Sequence, residues 1–336
     1  MFDIKIGTLI PAQSALTMIP QLNAVGFESY ELNFNDCCAL ANGSEGDLKE
    51  YGKRVLDVLD GRKISALGIY ANTIEDEDTR RGVENLIANA EYFDCDRIGT
   101  FAGGHPALSV RETIPDFVKV FSPLIELAEN KGVKIGLEGC GDGWDRGSHN
   151  IAFCPEAWEL IFNEISSDAL GLEWEPCHAV MQLMDPIQQV RRWGSKIVHV
   201  HGKDATVAYD VIREYGLRGI HGYAWNRTPG FGDTNWADIC TVLIQCGFKG
   251  SIDIEGYHDP VHYDDMEWTS QLTSLEYLKR CRGGVTFFDG PTEYRGYQGR
   301  RLKLARLGIL RAARRYSEFI GFSLNFGFLR FSDFSQ

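Results

Sequence analysis

Residues 171–178 read GLEWEPCH, with Glu173 and Glu175 two apart and His178 three residues further on. Side chains alternate along a strand, so the two carboxylates share one face while Leu172 and Trp174 share the other. The same alternation recurs nearby. In IVHVHGK, His199 and His201 oppose Val198 and Val200, and in SIDIEG, Asp253 and Glu255 oppose Ile252 and Ile254. KIGLEG gives Glu138 the equivalent late position. Four successive strand-like runs thus end on Glu138, Glu175, His201 and Glu255. Converging carboxylates repel unless some protonate or a cation joins them. No inward lysine or arginine is read on these strands. One imidazole and three carboxylates suit a single divalent ion, Mn²⁺ first, with Mg²⁺ or Co²⁺ as alternatives. The deeper set, Glu173, His199 and Asp253, would then orient the ligands.

The elements that must present these residues follow from the rhythm of the chain. Strand-like runs fall at 4–9, 29–34, 64–70, 97–103, 133–139, 170–175, 196–203 and 250–256, with amphipathic helical segments between them. Such alternation calls for a parallel sheet. Eight repeats in about 280 residues predict a closed (β/α)₈ TIM barrel, whose active sites form at the C-terminal ends of the strands. The rival is an open doubly wound sheet, which would carry a Gly-rich first turn; here IPAQSA follows the first strand. Residues 1–282 are assigned to the barrel and 283–336 to a C-terminal extension of no assigned fold or function. That extension is rich in arginine, as in RRLKLARLGILRAARRYSEF, on a chain of net charge −13.

The acidic balance argues against a nucleic-acid partner, which needs a basic footprint. The nine cysteines are scattered, with no C-x-x-C, and read as reduced thiols. The N-terminal MFDIKIGTLIPAQ has no basic stretch leading an apolar one, and no apolar run reaches the roughly 20 residues of a membrane span. The expectation is a cytoplasmic protein, with room for a homo-oligomer.

GLEWEPCH, HVHGKDA, RTPGFGDTNW and IDIEG, in that order, resemble the xylose-isomerase-like barrels of the sugar phosphate isomerase/epimerase superfamily. The resemblance covers roughly residues 3–282. It implies that Glu138, Glu175, His201 and Glu255 bind one divalent metal, with Glu175 standing where an aspartate is commoner. It implies that His178 and Arg227 line the substrate site, and that Glu138 and Glu255 double as acid/base groups. The implied chemistry is proton abstraction next to the carbonyl of a sugar or polyol-derived ketone, through an enediolate. Isomerisation, epimerisation and elimination share that intermediate, so a lyase or dehydratase acting on an oxidised sugar, inosose or glycoside is the alternative. A type IV endonuclease-like DNA-repair enzyme would need further histidines, where this chain has Tyr70, Ala71 and Asn72 and the loop NRTPGFGD. A non-catalytic sugar-binding barrel would need no compact metal shell.

Further candidates lie in the loops. His105 and Trp144 are expected to line the substrate pocket. Lys203 and Asp204 are expected to form a supporting ion pair. GFGDTNW offers backbone amides ahead of a helix, where an anion could sit. His221, His258 and His262 read as solvated surface histidines.

Overall fold

The computed structural model describes residues 3–141, 145–256 and 258–285. All eight expected strands form. They are β1 (Ile4–Pro11), β2 (Ser29–Asn33), β3 (Lys63–Ile69), β4 (Arg97–Thr100), β5 (Lys134–Glu138), β6 (Leu170–Trp174) and β7 (Ile197–Gly202), with the eighth at Gly250–Ile254. Two short strands intervene, β8 (Asp204–Val207) and β9 (Ala224–Arg227), so the eighth barrel strand is β10. The barrel closes in the order β1-β10-β7-β6-β5-β4-β3-β2, all parallel, while β8 and β9 pair antiparallel as a separate ribbon. This is a (β/α)₈ barrel and excludes the open sheet. The extension from residue 286 lies outside the described residues.

Helices fill the intervals where the spacing of apolar residues places them, and their ends follow from local chemistry. Ala15–Val25 stops at Gly26, which takes φ 98°, a left-handed cap that glycine adopts without a Cβ penalty. Val110–Lys131 starts with a reciprocal capping box between Ser109 and Glu112. The core lies between barrel and helices. Phe27, Phe93, Phe117, Phe121 and Trp236 are all buried there, and Phe117 stacks on Phe121 at 4.4 Å. Each such ring contributes roughly 2–3 kcal/mol through the area it removes from water.

Inside the barrel the packing is polar, and glycines make room for it. A Cβ at Gly99 would lie 2.5 Å from both carboxylate oxygens of Glu173. One at Gly7 would collide with Asp253 and Ser29. The strands therefore give up side chains on β1 and β4 so that acids from β6 and β10 can cross the lumen.

Candidate active site

Strands β5, β6, β7 and β10 are consecutive staves of the barrel, so Glu138, Glu175, His201 and Glu255 come from neighbours. Their hydrogen-bond register is staggered. Glu138 is level with Glu173, and His201 with Asp253. Strand tilt in a closed barrel converts that stagger into a common height at the mouth. All four are buried, none more than 4% exposed.

Each is held by its local chain. Glu138 ends β5, and Asn150 Nδ2 donates to the carbonyls of both Glu138 (2.9 Å) and Cys140 (2.6 Å), fixing the exit from the strand. Glu175 is extended backbone at the start of the helix Pro176–Met181, whose first residue is the proline. That abrupt start brings His178 Nε2 against Glu175 Oε1, with Glu138 Oε1 at 3.7 Å. The Glu255 amide donates to Gly202 O at 3.0 Å, extending the ladder to β7 by one residue.

Ligand atoms of Glu138, His201 and Glu255 lie within 4.8 Å of one another. A divalent ion about 2.1 Å from each donor holds its donors about 3–4 Å apart, which this spacing can meet. The buried atoms lacking a hydrogen-bond partner include both oxygens of Glu175, Nδ1 of His201 and Oε2 of Glu255. Unpartnered buried donors are costly, and these are the atoms a cation would take, so the residues fit a divalent ion. Glu175 falls outside the 4.8 Å group, its carboxylate lying against His178. Two further groupings meet the same spacing: Glu138 with Cys140 and His178, which shares Glu138, and the deeper Glu31, Glu173, His199 and His201, which shares His201.

His201 is oriented from below. Its Nε2 lies 2.9 Å from Glu31 Oε2 and its Nδ1 lies 3.2 Å from Glu255 Oε2. With Nε2–H donating to Glu31, Nδ1 is left to face a cation, the usual arrangement behind a metal-binding histidine. Glu31 also meets His199 Nε2 at 3.0 Å and accepts from Tyr70 Oη. Asp253 accepts from Ser29 at 2.9 Å and from Ser65, with His199 Nε2 at 3.1 Å. The structure places Glu173, His199 and Asp253 in the lumen together with Glu31, which comes closest to His201, at 2.9 Å against 3.5 Å for Glu173.

Two electrostatic expectations change. Lys203 is an inward lysine: it is 2% exposed, and its Nζ lies 2.7 Å from Glu255 Oε1. The mouth therefore carries a fixed positive charge, and the case for an ion rests on the convergence of ligand atoms rather than on bare repulsion. Lys203 does not pair with Asp204. The Asp204 carboxylate accepts from the amides of Ala205 (2.8 Å), Gly230 (3.2 Å) and Thr234 (3.0 Å). It thereby occupies loop amides of GFGDTNW that were open to an anion.

The carboxyls are set apart by their surroundings. Burial pushes the Glu138 carboxyl up, against the pull of His178. Burial acts on Glu255 in the same direction, but Lys203 and His201 outweigh it and hold Glu255 well below its usual range. Burial pushes Glu173 up to about 8, with Glu31 adding to it and the two histidines opposing.

The loop candidates fare differently. Arg227 Nε lies 3.2 Å from Asp259 Oδ2, so its fork is partly engaged. Both ring nitrogens of His105 are taken, by Glu75 at 2.8 Å and Asp116 at 3.0 Å. Trp144 lies outside the described residues. His262 is not solvated: its ring packs 4.2 Å from Phe231 and Nδ1 lies 3.6 Å from Asp259. His258 is half-exposed yet reaches within 3.6 Å of Glu255 Oε1. His221 is exposed, its ring 4.6 Å from that of Tyr215.

A closed parallel barrel with acidic and imidazole groups gathered at its C-terminal mouth defines the class of protein. The chain belongs to the xylose isomerase-like TIM barrel family, whose model matches residues 19–281. It is 28% identical over 176 residues to the uncharacterized protein YfiH of Bacillus subtilis (strain 168), a match covering 48% of this chain and 51% of that one. The chain spans about half the length of the curated relatives it matches. Among solved structures it is similar to the 3-keto-D-glucoside 4-epimerase YcjR from E. coli. The TM-score is 0.63 at 16% identity, covering 83% of this chain and 100% of that one. It is also similar to the probable 3-DHS dehydratase AsbF from Bacillus anthracis, with TM-score 0.59 at 16% identity, covering 82% and 99%. These likenesses show a common fold. Among the described residues, no helix is long and apolar enough to cross a membrane.

Proposed function

We infer that the protein is a divalent-metal-dependent sugar isomerase or epimerase that removes a proton from carbon next to a carbonyl. The observation that carries this reading is the convergence of buried ligand atoms of Glu138, His201 and Glu255 within 4.8 Å of one another at the barrel mouth. Glu138, Glu175, His201 Nδ1 and Glu255 would hold the ion, Mn²⁺ in the first instance. When bound, such an ion supplies a Lewis acid to the carbonyl and an adjacent hydroxyl. Glu138 and Glu255 would move the proton. Their carboxyls are held in opposite directions from the ordinary value, a pattern suited to one donor and one acceptor. His178, Arg227, His105 and Trp144 remain the candidates for gripping substrate.

Elimination is the second reading, supported by the fold shared with a probable dehydratase. It begins with the same proton removal and ends with loss of a β-leaving group. Both are tested by metal analysis of the purified protein, then by incubation with ketoses, inososes and 3-keto-glycosides in D₂O. Deuterium next to the carbonyl is expected, and an unsaturated product would select elimination. Glu138→Gln and Glu255→Gln should each lower exchange by about 10³-fold or more, within the range of general acid–base catalysis. Full exchange in both variants would remove the acid/base assignment.

A further inference from the structure

The inference concerns Lys203 and rests on the reading of the mouth as a cation site. Lys203 directly follows β7, two residues beyond His201, and alternation puts its side chain on the same inward face. The next residue fixes it. Asp204 is buried and gathers the amides of Ala205, Gly230 and Thr234, with the Trp236 indole at 3.3 Å. The backbone carrying Lys203 is therefore clamped between a barrel strand and the ribbon. A lysine stem is flexible and its ammonium strongly hydrated, yet here the ammonium is buried. It meets Glu255 through Oε1 alone, at 2.7 Å. The other oxygen, Oε2, has no hydrogen-bond partner and faces His201 Nδ1 at 3.2 Å.

We propose that Lys203 is a positioning residue that occupies one oxygen of Glu255, so that this carboxylate meets a cation through Oε2 only. A single-oxygen ligand keeps the neighbouring positions around the ion open for a chelating substrate. The arrangement has a cost. A fixed ammonium on the same carboxylate repels a divalent ion, so Lys203 weakens the ion's binding while setting the geometry. A residue that merely supported the fold would do the reverse, since its loss would loosen the site.

The two roles therefore differ in sign. Lys203→Met should bind Mn²⁺ more tightly than wild type, by roughly tenfold or more for a charge removed at this range. The same variant should lose deuterium exchange by about 10²-fold, as misplacement of a reacting group does. Lys203→Gln keeps a donor near Oε1 without the charge and serves if the methionine variant does not fold; it should also bind Mn²⁺ more tightly. Lys203→Arg should restore wild-type affinity. The free Mn²⁺ signal in electron paramagnetic resonance reads affinity independently of turnover. Weaker or unchanged Mn²⁺ binding in the uncharged variants would overturn the proposal, as would undiminished exchange. Wild-type protein that binds no divalent ion would instead remove the cation site itself, and this inference with it.

Discussion

The barrel interior holds two polar tiers that look alike in composition and differ in how their atoms are used. In the deeper tier, Glu31 meets three partners, His199, His201 and Tyr70. Asp253 likewise meets Ser29, Ser65 and His199. At the mouth, both oxygens of Glu175, one of Glu255 and one nitrogen of His201 find no hydrogen bond. A tier whose carboxylates are bonded to one another's neighbours holds a structure together. The spare donors at the mouth are the ones we propose a cation takes. Below, both oxygens of Glu173 and Nδ1 of His199 also lack a hydrogen bond, with Glu173 Oε1 3.5 Å from His201 Nε2 and burial pushing its carboxyl up to about 8.

The comparison breaks most visibly at Glu175. Glu175→Gln should lower Mn²⁺ affinity by roughly 100-fold or more, beyond the loss expected for a supporting partner. The metal-free protein should also melt several degrees lower, because the substitution breaks the buried ion pair of Glu175 with His178. Asp253→Asn should show the stability loss alone. Losing one side of a buried ionic network costs about 3 kcal/mol or more; thermal denaturation should fall by several degrees with little change in Mn²⁺ affinity. Glu31→Gln tests the connection between tiers. It leaves every mouth ligand in place but frees His201 to rotate, so Mn²⁺ affinity should fall by roughly 10- to 100-fold.

The smallest effect is in acid. Asp259 accepts from the amides of Thr228, Val261 and His262 and faces Arg227. Burial would raise its carboxyl, but these donors outweigh it and hold it well below the usual range. A depressed carboxyl contributes stability that is present above its ordinary value and is lost as pH falls through the depressed one. Asp259→Asn should therefore flatten the acid limb of the stability profile measured by chemical denaturation, and leave neutral-pH Mn²⁺ binding unchanged.

Much of this was legible in the order of residues. Alternation in LEWE, HVH and DIE pointed carboxylates and imidazoles inward, and the strand-helix rhythm closed the barrel. Lys203 was legible too, since it continues the 199, 201, 203 series, but its place at the strand edge disguised it as a loop residue. Glu31 shares its face with Ser29 and Asn33 in SYELN, and only the barrel's closure brings it across to His201. Glycines at 7 and 99 read as weak strand residues until the acids they accommodate are seen. The ribbon was not legible, because DATV and AWNR are too short to show a period. The partners of His105, and Gly230, Thr234 and Trp236 against Asp204, come from 11 to 32 residues away, and no local pattern announces them.

Anomalous diffraction at the manganese edge from crystals soaked in Mn²⁺ tests the central claim most directly. The account predicts one peak at the mouth, about 2.2 Å from oxygens of Glu138, Glu175 and Glu255 and from His201 Nδ1. A peak among Glu31, Glu173 and His199 instead, or no peak in ordered crystals, would contradict it.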